Sequence, residues 1–308
     1  MNRESYCGFH FISTFTSCPR KFFYKYIIKW VPKYTSPALS EGAAIHEGIA
    51  RFYLTGDPQA AIEAAMDAIV ERKECYEDEY KYQDGYTRVL KIVEGWLNTW
   101  AEWTPKHWKI LHVEEPKEIL VPGSNYLFTY RPDVEVEDLE TGEIIIPDTK
   151  TSGFSLDSIY DSYSNSKQGT SYIFASHLQP EYQGKIISTL PDAIFWRSNM
   201  KAPQCERQIR IYRSEDELET FGRELVSWLR KITESSEEYL NGIEGEVWDV
   251  NEGVATMFPS NPTCDGGQSW KCEYKPICRH KIGDHPPWGF KLDDRPFEER
   301  QSEAERSA

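Results

Sequence analysis

Residues 143–150 read Glu-Ile-Ile-Ile-Pro-Asp-Thr-Lys. Three consecutive isoleucines predict a buried β-strand. The strand ends in Asp148-Thr149-Lys150. Side chains alternate across a strand, so Asp148 and Lys150 project to one face, roughly 6.6 Å apart along it. Glu140-Thr141-Gly142 is a turn signal. Asp133 closes the strand before that turn, and a hairpin would set it beside Asp148. Two adjacent carboxylates repel, and a divalent cation between them relieves the cost. Such an ion polarises a phosphoryl oxygen and lowers the pKa of a bound water. Lys150 would then orient the water or stabilise the developing charge. Pro147 lacks a ladder donor, which predicts a strand edge or a bulge at that point.

Working outward, Trp108 to Val113, Lys117 to Val121 and Tyr126 to Val136 are short β-branched and aromatic runs. Pro122-Gly123-Ser124 separates two of them, so the region predicts an antiparallel meander. A helix is expected from Ser158 to Leu178. Strands are expected over Lys185 to Leu190, Ala193 to Met200 and Gln208 to Tyr212, then a long amphipathic helix over Glu215 to Leu240. The first 105 residues read as helical. Thr14 to Trp30 is one helix, and Ser40 opens a second that ends at Gly56. Pro58 to Tyr80 is rich in Ala and Glu. Val89, Leu90, Val93, Trp96, Leu97 and Trp100 recur with the 3.6-residue period of a core-facing helix. The expected class is α/β in a single domain over 1–290. It has a helical part over about 10–105, a core over about 106–245 and a Cys-rich segment over about 260–282. The acidic tail, 291–308, is expected to be disordered.

The chain has 308 residues, 39% of them hydrophobic, enough for a sizeable core. Its formal net charge is -15. That excludes a coat-like, non-specific nucleic-acid binder but not a nuclease, which needs only a local acidic cluster and a local basic groove. No apolar run approaches the ~18 residues of a membrane helix, so no membrane partner is expected. The N-terminus, MNRESYCGFHF, has no signal-peptide pattern, so the cytoplasm is the expected location. There is no GxxxxGK[ST] phosphate loop, which argues against an ATP motor.

Two further groups accompany the Asp148 strand. His46 stands on a helix among Ala43, Ala44, Ile49 and Ala50. Gln168 and Tyr172 are one helical turn apart on the helix that follows the strand. In chain order the sequence therefore holds Ser-x-x-x-x-Cys-Pro-Arg-Lys-Phe, Gly-x-x-x-His, an Asp, Asp-x-Lys-Thr and Gln-x-x-x-Tyr. This ordered set resembles the PD-(D/E)XK nuclease superfamily, in its RecB-like branch, over about residues 10–282. That branch includes CRISPR-associated RecB-like exonucleases and many phage proteins. The resemblance implies a restriction-endonuclease-like mixed sheet flanked by helices. It implies a metal-dependent DNA exonuclease using Mg or Mn in recombination, repair, phage DNA processing or CRISPR adaptation. His46, Asp133 and Asp148 would be the metal ligands, Lys150 the catalytic lysine, and Gln168 and Tyr172 would shape the site. Glu114 or Glu115 would fit an upstream acidic position, and Tyr130 stands where the family often has glycine. The implied partners are DNA ends or single strands, and a helicase, a recombinase or CRISPR adaptation proteins. The alternative is a DNA-end-binding accessory subunit with decayed catalysis.

Three of the seven cysteines cluster, as CDGGQSWKCEYKPIC over residues 264–278. Gly266, Gly267 and Pro276 let the chain turn tightly around an ion or cluster. The resemblance supplies Cys18 as a fourth ligand and implies a 4Fe-4S cluster held by Cys18, Cys264, Cys272 and Cys278. Thiolates alone also suit zinc. Arg20 and Lys21 adjoin Cys18 and are candidate phosphate contacts. Cys7, Cys75 and Cys205 have no partner pattern and read as ordinary thiols.

Overall fold

The structure is a computed structural model that describes residues 8–34, 36–207, 209–244, 250–260, 272–278, 281–283 and 285–293. Helices α1 (Phe9–Ser17) and α2 (Pro19–Phe22) lead into a π-helical turn, Phe23–Ile27, and strand β1 (Trp30–Pro32). Next come α3 (Pro37–Thr55), α4 (Pro58–Glu71), α5 (Glu79–Trp100) and α6 (Thr104–His107). Strands β2 (Trp108–Val113), β3 (Lys117–Leu120), β4 (Leu127–Tyr130), β5 (Val134–Asp138) and β6 (Ile144–Ser152) follow. The chain then forms α7 (Leu156–Ser164), α8 (Lys167–His177), β7 (Ile187–Phe195) and β8 (Gln204–Arg207). It finishes with α9 (Glu215–Glu244), α10 (Val250–Met257) and β9 (Phe290–Leu292). Two compact units result. One takes residues 1–34, 120–128 and 222–304; the other takes 35–119, 129–221 and 305–308.

The second unit holds a five-stranded mixed sheet in the order β2-β5-β6-β7-β8. Only β6 and β7 run parallel, because α7 and α8 make the crossover that a parallel pair requires. The β6 isoleucines are buried, as a central strand demands. Ile45, Ile49, Phe52, Ile69, Val93 and Trp96 of α3 to α5 share one core with Val136, Ile145 and Ile194 of the sheet. Helix α3 starts earlier than expected. Ser36 caps it by accepting from the Leu39 amide, and Pro37 takes the first helical position.

The first unit is built on aromatic packing. Phe11 meets Phe22 edge-on at 4.7 Å, Phe23 meets Tyr239 at 5.1 Å, and Tyr24 stacks on Tyr274 at 5.7 Å. Phe258 adjoins both Phe22 and Phe23. Much of the aromatic excess is therefore core rather than a stacking surface.

Several expectations are corrected. Thr14 to Trp30 is not one helix, since Cys18 is extended between α1 and α2. Strand β1 interrupts the helical N-terminal part and pairs with β9. Phe290–Leu292 is therefore ordered strand, while residues 294–308 lie outside the described residues. Tyr126 to Val136 splits into β4 and β5, which belong to different sheets. The expected helix over Ser158 to Leu178 breaks between α7 and α8, where Ser166 caps the second. Lys185 to Met200 holds one strand, β7, which runs through Pro191.

The α3–α4 contact is close because Gly48 has no side chain. A β-carbon there would lie 2.8 Å from Ala65 Cβ and 2.9 Å from the Ala61 carbonyl. Gly48→Ala should destabilise the protein by about 1–3 kcal/mol through overpacking, read as a lower urea midpoint at unchanged slope. An unchanged midpoint would show that the two helices separate without cost.

Candidate active site

Asp133 is the residue before β5 rather than the end of the strand before the turn. The β5–β6 register pairs Val136 with Ile145, and continuing it outward sets Asp133 opposite Asp148. The backbone ladder does not continue there. Instead the Thr149 amide donates to Asp133 Oδ2 at 3.0 Å. Residues i and i+2 of a strand point their amides to the same edge, so Pro147 would face this opened edge too. Pro147 predicts a strand edge or a bulge, and the ladder to β5 is indeed interrupted there. It lies in a central strand, tolerated because its missing donor falls where β5 has already parted from β6. Pro191 of β7 follows the same logic. The Thr189 amide bonds to Ile211, and the β8 ladder resumes only at Asp192, so Pro191 falls between them.

Around this opening the structure gathers the expected residues. His46 of α3 has Nδ1 3.2 Å from Asp133 Oδ2. Lys150 Nζ lies 3.2 Å from Asp148 Oδ1 and 3.4 Å from Gln168 Oε1. Gln168 Nε2 donates to the Tyr172 hydroxyl at 3.0 Å. A lysine can only donate, so it turns the amide oxygen of Gln168 to itself and the NH2 to Tyr172. Asp148, Lys150, Gln168 and Tyr172 thus form one continuous chain of polar contacts.

The charges are unequal by environment. Burial opposes the His46 imidazolium, but the Asp133 carboxylate beside it outweighs this and raises the His46 pKa. Burial likewise works against the Asp133 carboxylate, yet His46, Lys150 and the Thr149 amide hold its pKa below the usual range. For Asp148 burial wins over Lys150, and Asp133 adds repulsion, so its pKa is raised. Asp148 Oδ2 is buried with no hydrogen-bond donor. Glu135, on the neighbouring β5, is a useful contrast. Lys117 at 2.6 Å, Tyr182 at 2.9 Å and Ser176 at 3.3 Å satisfy it fully. Among the described residues no three His, Cys, Asp or Glu side chains stand ready-made around an ion. Asp133 is turned to His46, and Asp148 to Lys150. In donor type, two buried carboxylates with one unsatisfied oxygen fit a hard divalent cation.

The other expected residues lie elsewhere. The Glu114 amide donates to the Asp133 carbonyl at 3.1 Å, and its carboxylate lies 3.8 Å from Arg131. Glu115 is exposed and pairs with His112. In the first unit, Cys18 caps α2, its Sγ accepting from the Lys21 amide at 3.4 Å. Lys21 also pairs with Glu273 at 3.4 Å, and Cys272 and Cys278 lie on the following turn. Burial raises the Tyr24 phenol, and its hydroxyl donates to the Ile277 carbonyl at 3.1 Å, next to Cys278. Arg20 donates to the Phe258 carbonyl at 2.7 Å and to Val254, closing the end of α10. Cys264 lies outside the described residues.

Sequence reasoning missed two groups. The Tyr163 ring is buried near Asp148, whose charge raises the phenol pKa after burial itself. Gly169 lies against that ring, since a β-carbon there would lie 3.2 Å from Thr189 Oγ1 and 3.4 Å from the Tyr163 hydroxyl. Asp192 is fully buried on β7, with Oδ2 accepting from Trp96 Nε1 at 2.9 Å and 3.5 Å from Arg207 Nε. The Arg207 guanidinium lies 4.0 Å from the Trp108 ring, 4.3 Å from Trp100, 5.1 Å from Trp103 and 5.7 Å from Trp96. Removing one partner of such a pair leaves a charge uncompensated in low dielectric. Arg207→Ala should lower stability by about 3–5 kcal/mol, measured by urea unfolding, and Asp192→Asn in the same chain should restore part of it. A loss below about 1 kcal/mol would mean that Asp192 is neutral in the folded protein.

Comparison with known proteins agrees with this geometry. The family model of the PD-(D/E)XK nuclease superfamily matches residues 11–279. The crystal structure of a candidate exonuclease from Eubacterium rectale is similar in fold, with a TM-score of 0.50 and 14% identity. The match covers 74% of this chain and 81% of that one. No curated protein matches this sequence. Among the described residues no helix is long and apolar enough to cross a membrane. The match over most of its length, with the Asp133 and Asp148-x-Lys150 geometry, makes this chain a member of the PD-(D/E)XK nuclease superfamily.

Proposed function

We propose that the protein is a divalent-metal-dependent DNA exonuclease of the RecB-like branch. The observation that carries this reading is Lys150 Nζ, 3.2 Å from Asp148 Oδ1, where β5 and β6 part and Asp133 faces Asp148. His46, Asp133 and Asp148 would hold Mg or Mn, as members of this superfamily usually do. When bound, the cation supplies Lewis acidity toward a phosphoryl oxygen and an acidic water. The chain's own groups do the rest. Lys150 places a positive charge beside the phosphate and stabilises the charge that builds on its oxygens. Gln168 holds Lys150 in place and is itself held by Tyr172. Asp133, tied to the Thr149 amide and His46, keeps its carboxylate aimed into the opening.

Asp148→Asn and Lys150→Ala should each lower the rate of DNA cleavage by at least about 100-fold, with unchanged melting temperature and DNA affinity. EDTA should abolish wild-type cleavage, and Mg or Mn should restore it. The measurement is release of labelled nucleotides from linear single- and double-stranded DNA and from closed circles. Cleavage by Asp148→Asn at the wild-type rate would refute the site. Cutting of closed circles would replace the exonuclease assignment with an endonuclease. DNA-end binding without any cleavage by the wild type would favour an accessory subunit.

For the cysteines we propose that Cys18, Cys264, Cys272 and Cys278 hold a 4Fe-4S cluster, with zinc as the alternative. Support comes from Lys21, whose amide bonds to Cys18 Sγ and whose side chain pairs with Glu273 next to Cys272, and from Tyr24, which donates to Ile277 next to Cys278. Arg20 and Lys21 are proposed phosphate contacts, and Arg20 also anchors α10. Cys18 and Cys264 lie far apart in sequence, so a shared centre restricts nearly the whole unfolded chain. A crosslink of that span contributes roughly 5 kcal/mol at most. Cys18→Ala should therefore lose bound metal and melt at a lower temperature. Iron and sulfide analysis of protein purified without oxygen reads the outcome. One zinc and no iron would select zinc, and wild-type metal content in Cys18→Ala would remove Cys18 from the ligand set.

A further inference from the structure

An open pocket of about 410 Å³ begins at Lys150 and runs between the end of β6 and the helices α7 and α8. That volume falls in the ~300–1,000 Å³ range of ligand sites. Its lining contains Ser152, Ser158, Ser162, Ser166 and Gln168, and the Tyr163 ring forms part of the wall. Among the described residues no carboxylate lines it, although the protein carries a formal charge of -15, and Lys150 is the one charged lining group. The pocket is therefore arranged for a polar, electron-rich occupant with an anionic end.

Hydrogen-bonding capacity supports the same reading. Ser152 Oγ accepts from the Phe154 amide and Ser166 Oγ accepts from the Gln168 amide. Each hydroxyl keeps its own proton to donate to an acceptor entering the pocket.

Phe154 lines the same pocket and is 75% exposed. What sets this exposed ring apart is its place in the wall of the pocket that begins at Lys150. The Phe154 backbone is held firmly. Arg197 donates from Nε to the Gly153 carbonyl at 2.7 Å and from Nη2 to the Phe154 carbonyl at 2.9 Å. The Trp196 amide bonds to Ser152 at 3.1 Å. Two residues at the end of β7 thus clamp the loop that presents the ring. A clamped exposed aromatic loses little further entropy on binding, which suits stacking.

We propose that this pocket receives one unstacked nucleotide of a DNA strand. That nucleotide adjoins the phosphate facing Lys150, and its base lies on Phe154. The inference rests on the nuclease reading and deepens it. It gives the site a preference for single-stranded or frayed DNA, because a base held in a duplex cannot reach the ring without leaving its stack.

The test uses the full-length protein and a labelled single-stranded oligonucleotide in which one abasic residue is moved along the chain. Cleavage is followed in Mg, and binding in EDTA. In the wild type, one abasic position, next to the bond that is cut, should lower kcat/KM by about 5- to 100-fold, the range of base–aromatic stacking. Phe154→Ala should suffer the same loss on the intact strand, mostly in KM, and should no longer respond to that abasic position. Phe154→Trp should restore the response, and all three proteins should melt alike because the ring is exposed. The proposal is overturned if no position is special, or if Phe154→Ala and wild type lose equally on abasic substitution. If the wild type binds but does not cut, the nuclease reading fails by itself, and the abasic scan read as affinity still judges the pocket. If it does neither, both fail.

Discussion

One hydrogen bond lets this sheet open without leaving a backbone donor unpaired. Buried amides must find acceptors, and a strand that parts from its neighbour loses them. Here the Asp133 carboxylate takes the Thr149 amide that β5 no longer reaches. Pro147, two residues earlier on the same edge, has no amide to lose. The parting of β5 and β6 is thus settled chemically at both positions. It leaves room for two carboxylates, an imidazole and an ammonium to face one another. The acid that repairs the backbone is also one of the groups proposed for the chemistry.

Three of the carboxylates buried at the sheet of the second unit, Glu135, Asp148 and Asp192, have different surroundings. Glu135 is saturated by donors, and Asp192 is matched by an arginine packed among tryptophans. Asp148 and Asp192 each keep one buried oxygen without a hydrogen bond, but of the three only Asp148 has beside it a lysine that lines an open pocket. Perturbed groups with incomplete compensation concentrate at functional sites, because a ligand completes them. That contrast separates Asp148 from the structural acids better than burial does.

The proximity of most of the candidate residues was legible in sequence because their spacing is short-range, His46 excepted. Asp148 and Lys150 share a strand face, Gln168 and Tyr172 share a helix turn, and one turn links Asp133 to Asp148. Tyr163 stands at the end of α7, inside the stretch that reads as a single helix, where nothing in the sequence marks it. Asp192 and Arg207 were hidden because their partners come from α5, α6 and β2, far upstream. Pro191-Asp192 looked like the end of a strand for a sound local reason, and parallel pairing with β6 overrode it. The β1–β9 pair involves three residues on each side at opposite ends of the chain, too short for any periodicity to show. Phe154 looked like a loop residue, and only its exposure beside Lys150 gives it meaning.

The pairing of Trp30 with Leu292 also bears on how the protein is made. A ribosome extends a chain at ~5–20 residues per second, so β1 leaves the exit tunnel on the order of tens of seconds before β9 exists. During that interval Phe22, Phe23 and Tyr24 have emerged, while Tyr239, Phe258 and Tyr274, which pack on them in the finished unit, have not. The sheet from β2 to β8 needs only residues already synthesised by about position 211. Biogenesis thus has an order written into the topology: the five-stranded sheet can assemble early, while the aromatic segment around Phe22 waits for the last part of the chain to be made.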